Sequence, residues 1–250
     1  MKVTVLGCGS SGGVPLIGGR WGDCDPDNPR NRRTRASILV ENDDTTILVD
    51  TSPDMRQQLL SCGLKKLDAV LYTHAHADHC HGIDELRGVM WLIQKPIDIY
   101  ADPMTMLQLN KGFGYIFNGS GLYKPVVTQH EITGDFTIGS IVVRPFYQNH
   151  GTIRSLGFRF GDFAYSTDVH DFDATAVETL RGVKTWILDC VREKAHPTHL
   201  NVNEALKWIG AIKPERAYLT HLNHTIDYDR LARILPDGIL PAHDGLVINC

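Results

Sequence analysis

At 250 residues the chain has room for one large domain or two small ones, and its 42% hydrophobic and 22% charged residues exclude disordered, collagen-like and coiled-coil readings. No apolar run reaches the ~18 residues of a membrane-spanning helix, and a net charge of −4 argues against a bulk electrostatic grip on nucleic acid. Met1–Leu6 meets Gly7 before any signal-peptide core can form, so the expected address is the cytoplasm. Six scattered cysteines with no C-x-x-C pair predict no disulfide framework.

In chain order, Val3–Leu6 reads as a buried strand followed by a Gly-rich turn, Gly7–Gly13. Gly18–Arg35 is a long polar loop with Pro26, Pro29 and a basic run of Arg30, Arg32, Arg33 and Arg35. Strands are expected at Ser37–Glu41 and Thr46–Asp50, then a helix capped by Ser52, with Pro53 first, stopping at Gly63. A strand over Asp68–Thr73 runs directly into His74-Ala75-His76-Ala77-Asp78-His79. Ile97–Tyr100 is a strand, Pro103 to about Leu109 a helix, and the aromatic stretch Gly112–Tyr123 a candidate flap or packed cluster. Phe136–Phe146, Leu156–Phe160 and Phe163–Ser166 form a meander. Helices near Ala174–Arg181, Val202–Ile212 and Tyr228–Leu235 then alternate with strands at Thr185–Asp189, Ala217–Thr220 and Leu246–Asn249. The pattern predicts an α/β protein with helix-covered sheets, organised as one domain over 1–250. Trp91, Trp186 and Trp208 are expected in the core.

Imidazole nitrogens and carboxylate oxygens are ligands that zinc, iron and manganese accept. In an extended segment residues two apart face one side, so His74 and His76 can share an ion, and a turn after Ala77 can carry Asp78 and His79 to a second. On these residues the chain resembles the metallo-β-lactamase superfamily, whose H-x-H-x-D-H signature stands here at 74–79. The resemblance implies an αββα sandwich with a two-metal site. His74, His76 and His150 would hold one ion and Asp78, His79 and His221 the other, with Asp168 bridging, the last three positions each following a later strand. The expected cofactors are two divalent ions, zinc or manganese.

Asp189-Cys190 and the stretch His196-Pro197-Thr198-His199-Leu200-Asn201 look like the phosphodiesterase branch, which includes the tRNA 3′-end processing ribonucleases. Within it the chain is similar to the phosphoribosyl cyclic phosphate phosphodiesterases of the carbon–phosphorus lyase pathway. That likeness rests on Gly7–Gly12, Val14-Pro15, Trp21-Gly22, Arg32-Arg33, Asp189-Cys190, Thr220–His224 and Asp244-Gly245. It implies attack of a metal-activated water on phosphorus, with Asp78, Asp168 and His199 as catalytic residues and His199 as leaving-group acid; His196 competes for that role. The expected partner is a small cyclic phosphodiester or other phosphorylated, nucleotide-like molecule. No membrane and no stable nucleic-acid partner are expected; the sequence is compatible with a homodimer and does not choose the oligomeric state. The rival readings are tRNA 3′ processing and thioester or lactone hydrolysis.

One departure stands out. The family's structural zinc clip uses three cysteines after the Trp-Gly and a C-terminal His. Here Trp21-Gly22 is followed by Asp23, Cys24 and Asp25, and only His224 persists. Asp23, Asp25 and His224 either hold a harder ion or hydrogen-bond. The Arg30–Arg35 run either captures a substrate phosphate or is a solvated loop. Ser10 and Ser11 either offer backbone N–H groups to an anion or form a tight turn after the first strand, and Asp50 either orients a ligand His or caps the helix entry.

Overall fold

The structure, a computed structural model, describes residues 1–119 and 121–250. The first half runs β1 (Lys2–Gly7), β2 (Ser37–Glu41), β3 (Thr46–Val49), α1 (Met55–Cys62), β4 (Ala69–Leu71), α2 (Ala77–Cys80), α3 (Leu86–Ile93), β5 (Ile97–Ala101), α4 (Pro103–Asn118) and β6 (Val127–Glu131). The second runs β7 (Phe136–Ile138), β8 (Ile141–His150), β9 (Ile153–Phe160), β10 (Phe163–Ser166), α5 (Ala174–Leu180), β11 (Thr185–Asp189), α6 (Val202–Ile212), β12 (Arg216–Thr220), α7 (Tyr228–Ile234), β13 (Ile239–Pro241) and β14 (Val247–Asn249).

Among the described residues the strands form two seven-stranded sheets, ordered β14-β1-β2-β3-β4-β5-β6 and β13-β12-β11-β10-β9-β8-β7. β3 to β6 are parallel, as are β10 to β13. Thr46–Val49, Ala69–Leu71 and Trp186–Leu188 are buried residue after residue. Central parallel strands need such runs, because helices cover one face and the second sheet the other. The two-residue period then sorts the side chains. Val3, Val5, Ile38, Val40, Ile47 and Val49 meet Leu156, Phe158, Phe163 and Tyr165 between the sheets. Leu48, Val70 and Ile99 face outward under Met55, Leu59, Val89 and Leu109 of α1, α3 and α4. Ala164, Trp186 and Leu188 do the same under Val202, Ala205 and Ile209 of α6. The result is the expected αββα sandwich.

Several local expectations are corrected. The helix expected from Ser52 begins at Met55, because the Ser52 hydroxyl donates to Gln58 and accepts the Asp54 N–H in a turn ahead of it. Gly63 does end it, in the left-handed conformation. α4 does not stop near Leu109. It continues, kinked at Phe113, to Asn118, so most of the expected flap is helix; Ser120 of that stretch lies outside the described residues. Burial of Ile116, with Phe113 and Phe117 packed alongside, outweighs the low helix propensity of Gly112 and Gly114. Trp91 is not core but 65% exposed, since α3 buries Leu86 and Val89 instead. β6 and β13, a polar edge strand and a three-residue one, carry too weak a pattern to be read in advance.

Candidate metal centre

The candidate ligands lie at or just past strand ends. His74–His79 follow β4, His150 ends β8, Asp168 follows β10 and His221 follows β12; Asp50 and Asp189 stand at the ends of β3 and β11. Open α/β sheets bind their ligands at such carboxyl ends. Asp50, Asp168 and His221 have φ of 64°, 53° and 61°. Left-handed backbone costs a non-glycine residue about 1–3 kcal/mol, a strain that folds retain mainly at functional positions.

Asp168, 1% exposed, is the hub. Its Oδ2 faces His74 Nε2 at 3.7 Å and His150 Nε2 at 3.5 Å. Its Oδ1 faces His79 Nε2 at 3.0 Å and His221 Nε2 at 3.3 Å. His76 Nδ1 lies 2.8 Å from His74 Nε2, and Asp78 Oδ2 lies 3.4 Å from His79 and 3.5 Å from His221. Donor atoms thus converge in three overlapping groups that share Asp168: with His74, His76 and His150; with Asp78, His79 and His221; and with Asp189, His199 and His221. The structure brings all seven sequence-predicted ligands together.

Their surroundings fix the tautomers. Thr198 O can only accept, so His150 Nδ1 donates to it at 2.8 Å and the Nε2 lone pair faces Asp168. Asp50 Oδ2 accepts from His79 Nδ1 at 2.7 Å and also takes the Thr73 hydroxyl, so of its two expected roles the structure shows the one that orients the His79 ring. Burial, then the neighbouring His79, pushes the His74 imidazolium well below its ordinary range, and burial lowers His150 as well. Both are therefore neutral donors. His79 runs the other way. Burial alone would lower it, but Asp168, Asp78 and Asp50 surround it and raise it well above the ordinary value.

The residues fit a divalent-ion site on their own evidence. His79 Nε2 and both ring nitrogens of His221 are buried without a well-directed hydrogen bond, although Asp168 Oδ1 lies 3.0 and 3.3 Å from the two Nε2 atoms, and nitrogens crowded on a carboxylate in this way call for a ligand. Acidic and imidazole groups converge there, the donor chemistry that zinc and manganese share. A concavity of about 730 Å³ lies elsewhere, lined by Leu39, Gln58, Cys62, Lys66 and Val247. It contains none of these donors.

His199 sits on the rim, its Nε2 3.9 Å from Asp168 Oδ2 and its ring stacked on His221 at 4.7 Å. Asp189, fully buried, lies 3.2 Å from His199 Nδ1 and 3.6 Å from His221 Nδ1. Burial would lower His199, but Asp189 outweighs it and raises the imidazolium to about 9. The role of Asp189 went unread in the sequence, although its place at the end of the strand between those of Asp168 and His221 marks it. His196 is less suited as an acid, because burial and then His199 lower its pKa.

Most of the remaining candidates make structural contacts. No donor group forms around Asp23, Asp25 and His224 among the described residues; Asp25 caps the Asp27 N–H, and the His224 carbonyl accepts from Asp23 N–H. The Gly9 and Ser10 N–H groups go to Thr34 O and Leu222 O, so they are not free for an anion. The arginine run splits. Arg33 is buried and Arg35 pairs with Asp54, while Arg30 and Arg32 are exposed over the rings of Tyr228 and Trp21. Asn201 caps α6 in a capping box with Glu204.

The family model of the beta-lactamase superfamily domain matches residues 45–222. The chain belongs to this superfamily. It is 33% identical over 252 residues to an octanoyltransferase of Porphyromonas gingivalis, covering 98% of this chain and 51% of that one, so it spans about half of that relative's length. It is 28% identical over 213 residues to the anti-Pycsar protein Apyc1 of Paenibacillus harenae, covering 76% and 84%. Among solved structures, a diphosphatase from the PhnP family superimposes with a TM-score of 0.91 at 36% identity, over 99% of this chain and 96% of that one. Zinc-bound PqqB of Methylobacterium extorquens shares the fold, with a TM-score of 0.80 at 21% identity over the whole of both chains. Fold and donor set are those of a metal-dependent hydrolase. No helix among the described residues is long and apolar enough to cross a membrane.

Proposed function

We propose that the protein is a metal-dependent phosphoric diester hydrolase acting on a small cyclic phosphodiester or nucleotide-like substrate. The observation that carries this reading is His199, an imidazolium held by Asp189 at the rim of the His/Asp cluster. An alkoxide leaving group needs a proton at neutral pH. A thiolate, whose thiol has a pKa near ~8.5, needs it far less. The site is therefore better matched to a phosphodiester than to a thioester. The likeness to a PhnP-family diphosphatase supports the same phosphoryl chemistry.

His74, His76 and His150 would hold one ion and Asp78, His79 and His221 the other, with Asp168 shared. Bound there, two divalent ions, zinc or manganese, supply Lewis acidity at the phosphoryl oxygens and an acidified water. Asp78 and Asp168, both held well below the ordinary carboxylate range once their imidazole neighbours outweigh burial, accept hydrogen bonds from the attacking water and orient it. Asp189 fixes the proton on His199 Nδ1, which leaves Nε2–H facing the cluster and the departing oxygen. Arg30 and Arg32 are the members of the basic run free to meet a substrate phosphate.

The test is turnover of zinc- and manganese-loaded protein on phosphoribosyl 1,2-cyclic phosphate, aryl phosphodiesters with graded leaving groups, and a thioester. Metal-dependent ring opening, lost in Asp168→Ala, is expected. His199→Ala should slow poor leaving groups by roughly 10²–10⁴-fold while good ones change little. Equal slowing across the series removes the acid role, and thioester turnover without phosphodiester turnover moves the reading to acyl hydrolysis.

A further inference from the structure

Arg33 is only 2% exposed and is among the largest fully buried side chains. A guanidinium does not deprotonate, so burying it is costly unless its donors are satisfied. Among the described residues Arg33 forms no ion pair, whereas Arg35, two residues on, pairs with Asp54 at 3.0 Å. Its two Nη groups go to neutral acceptors, while Nε is buried without a partner. Nη1 donates to the Asn223 carbonyl at 3.0 Å and Nη2 to Asn31 Oδ1 at 3.1 Å. Asn31 continues the clasp: its Oδ1 accepts the Tyr228 N–H at 2.8 Å, and its Nδ2 donates to Asp227 at 2.6 Å. The Cys24 thiol reaches the Ile226 carbonyl at 3.2 Å. At Gly22 a Cβ would collide with the His224 carbonyl, so the two loops meet backbone to backbone.

The grasped carbonyl belongs to the residue two beyond His221, whose φ is 61°. The turn is also held by Leu222 N–H on Cys8 O and Asn223 N–H on Val191 O, at 2.8 and 3.0 Å. Neither ring nitrogen of His221 makes a well-directed hydrogen bond, although Asp168 and Asp78 lie 3.3 and 3.5 Å from Nε2. Beyond the Asp189 carboxylate at 3.6 Å and the stacked His199 ring, its aim depends on its backbone, and the cationic member of the clasp that holds this backbone is Arg33. We infer that Arg33 is a positioning residue for His221: its guanidinium, by holding the Asn223 carbonyl, fixes the left-handed turn that points His221 at Asp78 and Asp168. The inference rests on the reading of His221 as a metal ligand.

Zinc alone is titrated against a chromophoric chelator in the wild type, Arg33→Met, Arg33→Lys, His74→Ala and His221→Ala, with thermal melts in parallel. The two His variants assign the tighter and weaker equivalents to the two halves of the cluster. Arg33→Met should melt cooperatively and bind the His221 equivalent about 10–100-fold more weakly, the range over which residues behind metal ligands act, with the other equivalent unchanged. Arg33→Lys, which keeps the charge and one donor, should recover part of that loss. Equal weakening of both equivalents, or of neither, overturns the proposal. If His221→Ala itself leaves both equivalents intact, the ligand reading of His221 has failed, and the positioning role falls with it. If Arg33→Met does not fold, Asn31→Ala removes the Nη2 acceptor and is held to the same outcomes.

Discussion

His79 has three carboxylates around it, Asp168, Asp78 and Asp50, and two of them touch its ring nitrogens at 3.0 and 2.7 Å. Without a cation, the proton on His79 is what offsets that charge. A divalent ion must displace it, so binding releases a proton and affinity should rise with pH across the neutral range. Calorimetry of zinc binding in buffers of different ionisation enthalpy reads this directly; a pH-independent affinity with no proton release would contradict it. Asp189 sets the charge of His199 in the same way. In the metal-free protein the folded pKa of about 9 lies above the ordinary 6.5. Its contribution to stability is therefore complete below about pH 6.5 and is lost as pH rises through about 9. Urea midpoints of the metal-free protein should fall over that window. In Asp189→Asn they should start lower and change less, and the alkaline limb of kcat in the loaded enzyme should move to lower pH.

Elements place these residues by how they end. α6 begins at a capping box in which Asn201 Oδ1 accepts the Glu204 N–H and Glu204 accepts the Asn201 N–H, both at 3.0 Å. His199 stands two residues ahead of that cap, and Thr198, whose carbonyl holds His150, three. Asn201→Ala should cost about 1 kcal/mol of stability, the usual worth of a cap. It should also lower kcat on poor leaving groups more than on good ones, because the frayed turn carries the acid. Chemical denaturation and the leaving-group series read the two effects separately; a stability loss with no change in the series would make the cap structural alone. The helix and strand periods of this half were legible, and Thr185–Asp189 and Val202–Ile212 stand as read. In α4 the glycines suggested a break, and only the packing of Ile116 and Phe117 shows why the helix goes on.

Across the molecule, the two sheets supply different halves of the site. His74, His76, Asp78 and His79 hang from the first sheet, and His150, Asp168 and His221 from the second. The donor group around His74 and the one around Asp78 and His79 each draw on both sheets, whereas the group with Asp189 and His199 belongs to the second sheet alone. A bound ion therefore ties one layer of the sandwich to the other, in addition to the apolar contact between them. Removing metal with a chelator should lower Tm, by an amount that grows with the free metal concentration of the control. At 100 times Kd the stabilisation is about 2.7 kcal/mol for each independent ion. Differential scanning calorimetry of loaded and chelated protein checks this, and identical Tm values would mean that the ions do not span the sheets.

Local signals in the amino-acid sequence determined an α/β protein with helix-covered sheets and a metal-binding cluster at 74–79; the αββα plan and the full set of seven candidate donors followed from the superfamily resemblance that this cluster carries. Alternating apolar periods mark the layers, and a ligand cluster with each later His or Asp at a strand end marks the site. Tertiary structure alone decided the partnerships. Asp189 meets His199 across ten residues of chain, Asp50 meets His79 across twenty-nine, and Arg33 meets Asn223 across one hundred and ninety. It also decided that Arg33 turns inward while Arg32 beside it turns out, and that Trp91 is exposed. A contact between distant residues leaves no periodicity in either segment, so a single sequence carries no trace of it. Only the packing that brings the two loops together settles which side chain is buried and what it must hold.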